Sequence, residues 1–215
     1  MDEIYDYRRT SYCPELLDVK ERKNIVVKLI EKNHPHAEDM HNYVSNNSDI
    51  YKTTFMQVYN GKCAYCGVSA DLLPKNVFEI DHFLYEKAPC FKTKKEAGYI
   101  DNLVLACHDC NHRKSSFWIE KEDYEKLHPD GDGIKKTFIR DELFYIRVNN
   151  EEIESEGIVQ FYDKLQLGSE LHRLDYLLMN ILGMQRKYQD NDTIYAGLGR
   201  LYDVLRKKRN FSDIK

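Results

Sequence analysis

Four of the six cysteines fall in two pairs with a two-residue gap, a spacing that lets both sulfurs of a pair reach one ion. The pairs are Cys63 with Cys66 and Cys107 with Cys110. Four thiolates at about 2.3 Å from one ion form the closed tetrahedron of a structural zinc site. Because the N-terminus has no apolar stretch typical of an export signal, a metal is favoured over disulfide bonds, and Cys13 and Cys90 are interpreted as free thiols. The spacing therefore predicts a structural Zn²⁺ ion that joins the two cysteine pairs.

A second set of residues has the chemistry to hold a different ion. Asp81 and His82 lie between the cysteine pairs, and Asn111 follows the second pair directly. Carboxylate and amide oxygens are hard ligands that suit Mg²⁺ or Mn²⁺. A neutral imidazole beside them can take a proton from water near pH 7. Each residue alone has an ordinary structural explanation, so the prediction of metal-assisted hydrolysis depends on the ordered set.

Three short elements are predicted to position these residues. Residues 77–81 alternate like a strand, residues 103–106 form a second apolar strand, and residues 109–118 are typical of a helix. Because Asn111 would lie in this helix directly after Cys110, the zinc site would fix its position.

The connection between the two strands, residues 83–101, is longer than a hairpin needs. It carries lysines interleaved with aromatic residues: Lys87, Lys92, Lys94 and Lys95 with Tyr85, Phe91 and Tyr99. Such a segment suits a phosphate backbone and unstacked bases, and an ordinary solvated loop is the equally weighted alternative.

Residues 1–60 are predicted to be mostly helical. One helix is expected to begin at Cys13–Pro14, and another to run from near Ser48 to a stop at Asn60–Gly61. Their expected buried faces are Ile25, Val26, Leu29 and Ile30, then Tyr51, Phe55, Val58 and Tyr59. The histidines between the helices are interpreted as a solvated connection in preference to a metal site. They are His34, His36 and His41.

Residues 121–215 are predicted to hold a small β element followed by two helices. A strand at residues 143–148 is expected to pair with residues 158–161. The helices are expected to begin at Ser169 and Asp192, each with an apolar face toward a core or a partner. The expected inward residues are Leu171, Leu174, Leu178 and Ile181, then Ile194, Leu198, Leu201 and Leu205.

Charge and hydropathy limit the classes of function. The 215 residues carry a formal net charge of −4, so any binding to nucleic acid must come from a local patch or from a partner. The basic run at residues 206–209 is interpreted as a solvated helix end, with a nucleic-acid contact as the alternative. No run of about 18 apolar residues predicts a membrane span, and we expect a cytoplasmic protein.

The cysteine pairs, the segment Glu79-Ile-Asp-His82 and the run from Asn102 to Asn111-His-Arg-Lys114 together resemble the HNH endonuclease family, in its four-cysteine zinc branch. The resemblance covers about residues 61–116. It implies an α+β, mainly helical chain built on a ββα-metal finger at residues 61–120. Residues 1–60 and 121–215 would be helical extensions, the second with the small β element.

The resemblance also implies roles for individual residues. Asp81 and Asn111 would hold a catalytic Mg²⁺ or Mn²⁺, and His82 would be the general base. Asn102 matches the middle Asn of the motif, which constrains the loop joining the strands and thereby orients the His. The residues implied to contact substrate phosphate are Arg113 and Lys114.

Two positions depart from the family pattern. Tyr85 stands where the family often has Pro. His112 is a rival to Asn111 as the last metal ligand, because some members have His there. The nine-residue spacing from Asn102 favours Asn111.

The flanking segments are similar to the HNH subunits of Septu-type and retron-associated antiphage systems. The similarity lies in an aromatic-containing helix before Asn60-Gly-Lys-Cys63 and in Leu127-His-Pro-Asp130. It implies an ABC-type ATPase partner and a role as effector nuclease in antiviral defence. We therefore expect an HNH endonuclease that cuts DNA in preference to RNA. The alternatives are an RNA-directed nuclease and a non-catalytic zinc module that binds nucleic acid or protein.

Overall fold

A computed structural model describes residues 5–13, 15–45, 49–153 and 155–211. The N-terminal part holds three helices: α1 (Val19–Asn33), α2 (His41–Val44) and α3 (Asp49–Val58). α1 packs against α3, and the side chains predicted to face inward around α3 are all buried. After α3 the backbone reverses through positive φ at Asn60 and Gly61, as the stop signal predicts.

Part of the prediction for the N-terminal segment is wrong. The helix begins at Val19, and residues 15–17 are not helical. Pro14 and Ser48 lie outside the described residues. In α1, Val26 and Ile30 are fully buried, but Ile25 is 61% exposed, because the buried face is narrower than the apolar run in the sequence.

The central part has the predicted order of strand, strand and helix. β1 (Phe78–His82) pairs antiparallel with β2 (Leu103–Cys107), with α4 (Lys94–Ala97) in the connection. α5 (His108–Lys114) follows β2 directly and is shorter than predicted. It ends at Ser115, whose φ of 49° and ψ of −129° break the helical path.

The C-terminal part differs from its prediction in its strands, of which the predicted 143–148 is found only at residues 146–148. It contains α6 (Tyr124–Leu127), α7 (Gly133–Thr137), β3 (Phe138–Arg140), β4 (Ile146–Val148) and α8 (Glu156–Leu165). The predicted partner strand at residues 158–161 is wrong, because these residues lie in α8 and β4 pairs with β3. Ile158 and Phe161 are one turn apart and both fully buried, so their apolar spacing belongs to a helix.

Two long helices complete the described chain. α9 (Glu170–Lys187) buries the leucines predicted for it, and α10 (Asp192–Asn210) packs along α9. The prediction that Ile194 and Leu201 face inward is wrong, because they are 40% and 47% exposed. α10 packs on one face of α9. The adjacent face of α10 is not covered by any other element among the described residues.

One hydrophobic cluster joins the three parts, from Tyr7 through the central strands to Leu167. Polar cross-links reinforce it around the first cysteine pair. Fully buried Arg8 forms an ion pair with Asp6 and donates to the carbonyls of Ala64 and Pro129 at 2.6 and 2.9 Å. The fold is therefore mainly helical, with a small two-stranded centre held by both extensions. Within the described chain, none of the helices has both the length and the apolar character to cross a membrane.

Gly67 packs against Arg8, so a substitution at Gly67 tests the packing around the Arg8 contacts. Its φ is +82°, and a Cβ there would lie 2.8 Å from Cβ of Arg8. We expect Gly67→Ala to lower the free energy of unfolding by about 2–4 kcal/mol, from left-handed backbone strain and overpacking. Gly197 in α10 is the control, because its nearest atom is 3.9 Å away and Ala should stabilise that helix slightly. Urea unfolding of both variants measures the difference; equal stabilities would contradict the role of Gly67.

Candidate active site and metal centre

The four paired cysteines converge as their spacing predicts. The sulfurs of Cys63, Cys66, Cys107 and Cys110 lie within 4.8 Å of one another, and all four residues are buried. They come from the turn after α3, the end of β2 and the first turn of α5. Within the turn, the amide of Cys63 donates to the carbonyl of Val68 at 2.8 Å, and that of Ala64 to Leu105 at 2.7 Å. The donor set and its burial fit a structural Zn²⁺.

Asp81 connects this centre to the end of β1. Tyr65, from between the first two cysteines, donates its hydroxyl to Asp81 at 2.6 Å. The ammonium group of Lys114 lies 3.0 Å from the same carboxylate and also donates to the carbonyl of His82 at 2.7 Å. Burial raises the pKa of Asp81, and the two partners act against that rise. Asp81 is thus nearly enclosed, with both of its oxygens already hydrogen-bonded.

His82 lies at the edge of an open cavity of about 290 Å³. The cavity is lined by Asp81, His82, Tyr85, Glu86, Lys87, Ser115 and Ser116. Burial, and next the facing imidazole of His41, lower the pKa of His82 to about 4. The ring is therefore neutral at pH 7 and keeps a lone pair with which to accept a proton.

Asn102 makes the contacts that its implied role requires. Its side-chain oxygen accepts from the amide of Leu84 at 2.8 Å, and its nitrogen donates to the carbonyls of Leu84 and Ala97 at 3.0 and 2.8 Å. The carbonyl of Asn102 also accepts from the amide of Phe83 at 2.7 Å. A single buried side chain thus closes the loop that begins directly after His82.

Asn111 does not share a contact with Asp81 in the described structure. Its amide nitrogen donates to Glu79, whose other carboxylate oxygen accepts from His108 at 2.8 Å. Against the effect of burial, these hydrogen bonds lower the pKa of Glu79. His112, the rival ligand, is exposed and stacks on His108 with 5.7 Å between the ring centroids. Glu79 and Asp81 are two residues apart on β1, so α5 covers both from one face of the strand.

The two residues implied to contact phosphate occupy different environments. Arg113 is partly exposed, whereas Lys114 is fully buried against Asp81. The lysines of the strand connection, Lys87, Lys92, Lys94 and Lys95, are all exposed. Lys94 lies 3.2 Å from Glu86, and Lys95 forms an ion pair with Glu38.

Three residues at the site were missed by sequence reasoning. Tyr65 and Glu79 lie inside the recognised motif segments, but their contacts depend on how α5 packs on β1. His41 was assigned to a solvated connection together with His34 and His36. The latter two are exposed, whereas His41 is half-buried on the ring of His82. The sequence signal that could have found it is the placement of a histidine at the start of a helix that precedes the motif.

Residues 63–117 match the family model of the HNH endonucleases. The match covers about a quarter of the chain and contains the four cysteines, Asp81, His82, Asn102 and Asn111. No curated protein and no solved structure matched the chain. An HNH segment with a buried four-cysteine cluster supports nuclease activity and nucleic-acid binding.

Removing one sulfur tests the metal centre. We expect Cys63→Ser to lose most of the one zinc per chain and to unfold at much lower urea concentration, because zinc binding contributes about 10 kcal/mol or more to such sites. Cys90→Ser is the matched control, since Cys90 is exposed and outside the cluster. Elemental analysis and urea titration give both values. Full zinc occupancy in Cys63→Ser would contradict the assignment.

Proposed function

We propose that the protein is a metal-dependent HNH endonuclease that hydrolyses phosphodiester bonds in the cytoplasm, with DNA favoured over RNA. The observation that carries the proposal is the position of His82. Its neutral imidazole opens onto a cavity beside Asp81, inside the segment that matches the HNH family model. A module that only binds nucleic acid needs the zinc centre but has no use for this arrangement.

His82 serves as the general base in this proposal. Within the described part of the chain, no hydrogen bond reaches either of its ring nitrogens. A water molecule in the cavity can therefore donate to the free lone pair and lose its proton as it attacks phosphorus. Ser115 and Ser116 line the same cavity and offer hydroxyl groups to a phosphate. The cavity is open enough for a nucleic-acid backbone to reach His82 from solvent.

The residues around α5 provide donors for a catalytic cation. Asp81, Glu79 and Asn111 offer carboxylate and amide oxygens, which suit Mg²⁺ or Mn²⁺. A bound ion would neutralise charge on the phosphate and its leaving oxygen. Asn111 stays the preferred last ligand over His112, because it is partly buried beside Glu79 while His112 faces solvent. Asp81 can bind an ion only if the ammonium group of Lys114 moves away from at least one of its carboxylate oxygens.

Arg113 is the residue we propose for phosphate contact, together with the exposed lysines of the strand connection. Lys114 reaches a phosphate only by leaving Asp81 and the carbonyl of His82. Its present contacts support a second role, in which the buried ammonium holds the end of β1 against α5.

Loss of the base should remove cleavage. We expect His82→Ala to reduce plasmid nicking in Mg²⁺ or Mn²⁺ by about 10²- to 10⁴-fold, the usual contribution of a general base. His36→Ala, an exposed histidine outside the site, should cut like the unaltered protein. Parallel assays on single-stranded DNA and RNA rank the substrates. Equal cutting by His82→Ala and the unaltered protein would refute the proposal, and absence of divalent-ion binding besides zinc would favour a non-catalytic module.

We also propose that this nuclease works as the effector of an antiphage complex with an ABC-type ATPase. The comparisons with known proteins do not point to this association. Its support is the net charge of −4, which calls for help in reaching nucleic acid, and the exposed apolar face of α10. That face carries Ile194, Leu201 and Val204, and Phe211 follows directly after the helix; all four are 40–64% exposed. Exposed apolar residues grouped on one helix are typical of a protein contact.

Co-purification from the native host tests the association. The tagged protein should retain an ATPase that mass spectrometry identifies, and Leu201→Glu with Val204→Glu should release it. Ile25→Glu is the control, because Ile25 is an equally exposed apolar residue on a different helix. Retention by the α10 variant would exclude this face, and absence of any ATPase would exclude the partner.

A further inference from the structure

His41 lies outside the segment that matches the HNH family model, yet its ring packs directly on His82. The centroids are 4.4 Å apart and the planes are tilted by 34°. The segment that carries His41 is itself anchored. The amide of Met40 donates to the carbonyl of Gly98 at 3.0 Å, and Asp39 lies so close to Gly98 that a Cβ there would clash with it. The position of His41 is therefore set by the loop that follows β1.

The imidazole of His41 has polar neighbours in its own segment and on β1. Burial lowers the pKa of His41, while Asp39 and the backbone of Ile80, on the same strand as His82, act against that fall. The Nδ1 of His41 lies 3.5 Å from the hydroxyl of Ser45, one turn later in the same segment. The segment that carries His41 is anchored, so the imidazole of His41 offers a surface against which the ring of His82 can pack.

His82 has no such hydrogen bonds. A general base is usually oriented by a partner on its second ring nitrogen. Across residues 5–13, 15–45, 49–153 and 155–211, no group fills that role for His82. Its backbone is held by Lys114 and by the loop that Asn102 closes, and the face of His41 packs against its ring.

We infer that His41 is a positioning residue, which holds the ring of His82 by packing its tilted ring against it so that a ring nitrogen points into the cavity; this rests on the proposed role of His82 as the base. A residue of the N-terminal extension thereby completes the active site of the HNH finger. Packing of the two rings takes the place of the hydrogen bond that usually orients a histidine base. The ring of His41, and not its protons, is the part that matters, so another aromatic ring should substitute for it.

Three variants separate stacking from other roles. We expect His41→Ala and His41→Gln to lower kcat by about 10- to 100-fold with little change in KM, because a misplaced base loses its near-attack geometry. His41→Phe keeps a ring and should stay within a few-fold of the unaltered protein. His36→Ala is the control in the same segment. Zinc content and urea unfolding check folding, and if His41→Ala fails to fold, the comparison of Phe with Gln carries the test.

Two outcomes of the activity assay would overturn the inference. One is unchanged kcat in His41→Ala and His41→Gln, and the other is a His41→Phe variant as impaired as His41→Gln. A double variant adds a third check. In a His82→Ala background, His41→Ala should cause no further loss, because a positioning residue acts only through the group it holds. A further loss would show an independent role.

The last measurement does not depend on cleavage. The imidazole proton signals of His82, identified by their absence in His82→Ala, should shift when His41→Ala removes the ring current of the facing imidazole, and the His36→Ala spectrum should match that of the unaltered protein. Unchanged signals in His41→Ala would overturn the stacking even if the protein cut no substrate. Failure of the proposed function would instead appear as equal cutting by His82→Ala and the unaltered protein.

Discussion

The rest of this structure depends on four cysteine sulfurs held within 4.8 Å of one another in a buried place. Thiolates at that distance would repel one another and burial would add a desolvation penalty, so in their ionised form the four cysteines call for a cation among them. The central sheet has just two strands, which would be marginal alone. Because the four sulfurs come from the turn before β1, from the end of β2 and from α5, one ion bound among them would fix all three parts of the finger.

From the cysteines, this constraint reaches the reactive residues through two side chains. Tyr65, between the first two cysteines, donates to Asp81. Lys114, four residues after Cys110, contacts the same carboxylate and the carbonyl of His82. An ion among the cysteines would therefore help to set where β1 ends and how His82 enters the cavity, although no sulfur lies in the cavity lining.

Much of this finger could be predicted from its sequence, because its signals are local. Cysteine spacing predicts the cluster, and alternation at residues 77–81 predicts β1. Short apolar runs are ambiguous, which is why residues 158–161 were assigned to a strand although they form a turn of α8. Contacts between distant segments leave no such signal. Neither Arg8 on the carbonyl of Ala64 nor His41 on His82 follows from any periodicity, and both depend on tertiary packing.

The same packing bears on whether the finger could work without its extensions. Tyr7 and Arg8 hold the carbonyls of Tyr65 and Ala64, and Phe161 of α8 packs on the ring of Tyr65 at 5.9 Å. An isolated finger would expose these apolar and polar surfaces together. It would also lose His41, and with it the only ring that faces His82 among the described residues. Division of the chain at residues 60 and 120 is therefore useful for describing the motif, but the candidate site includes contacts from both sides of the first boundary, as the packing of His41 on His82 shows.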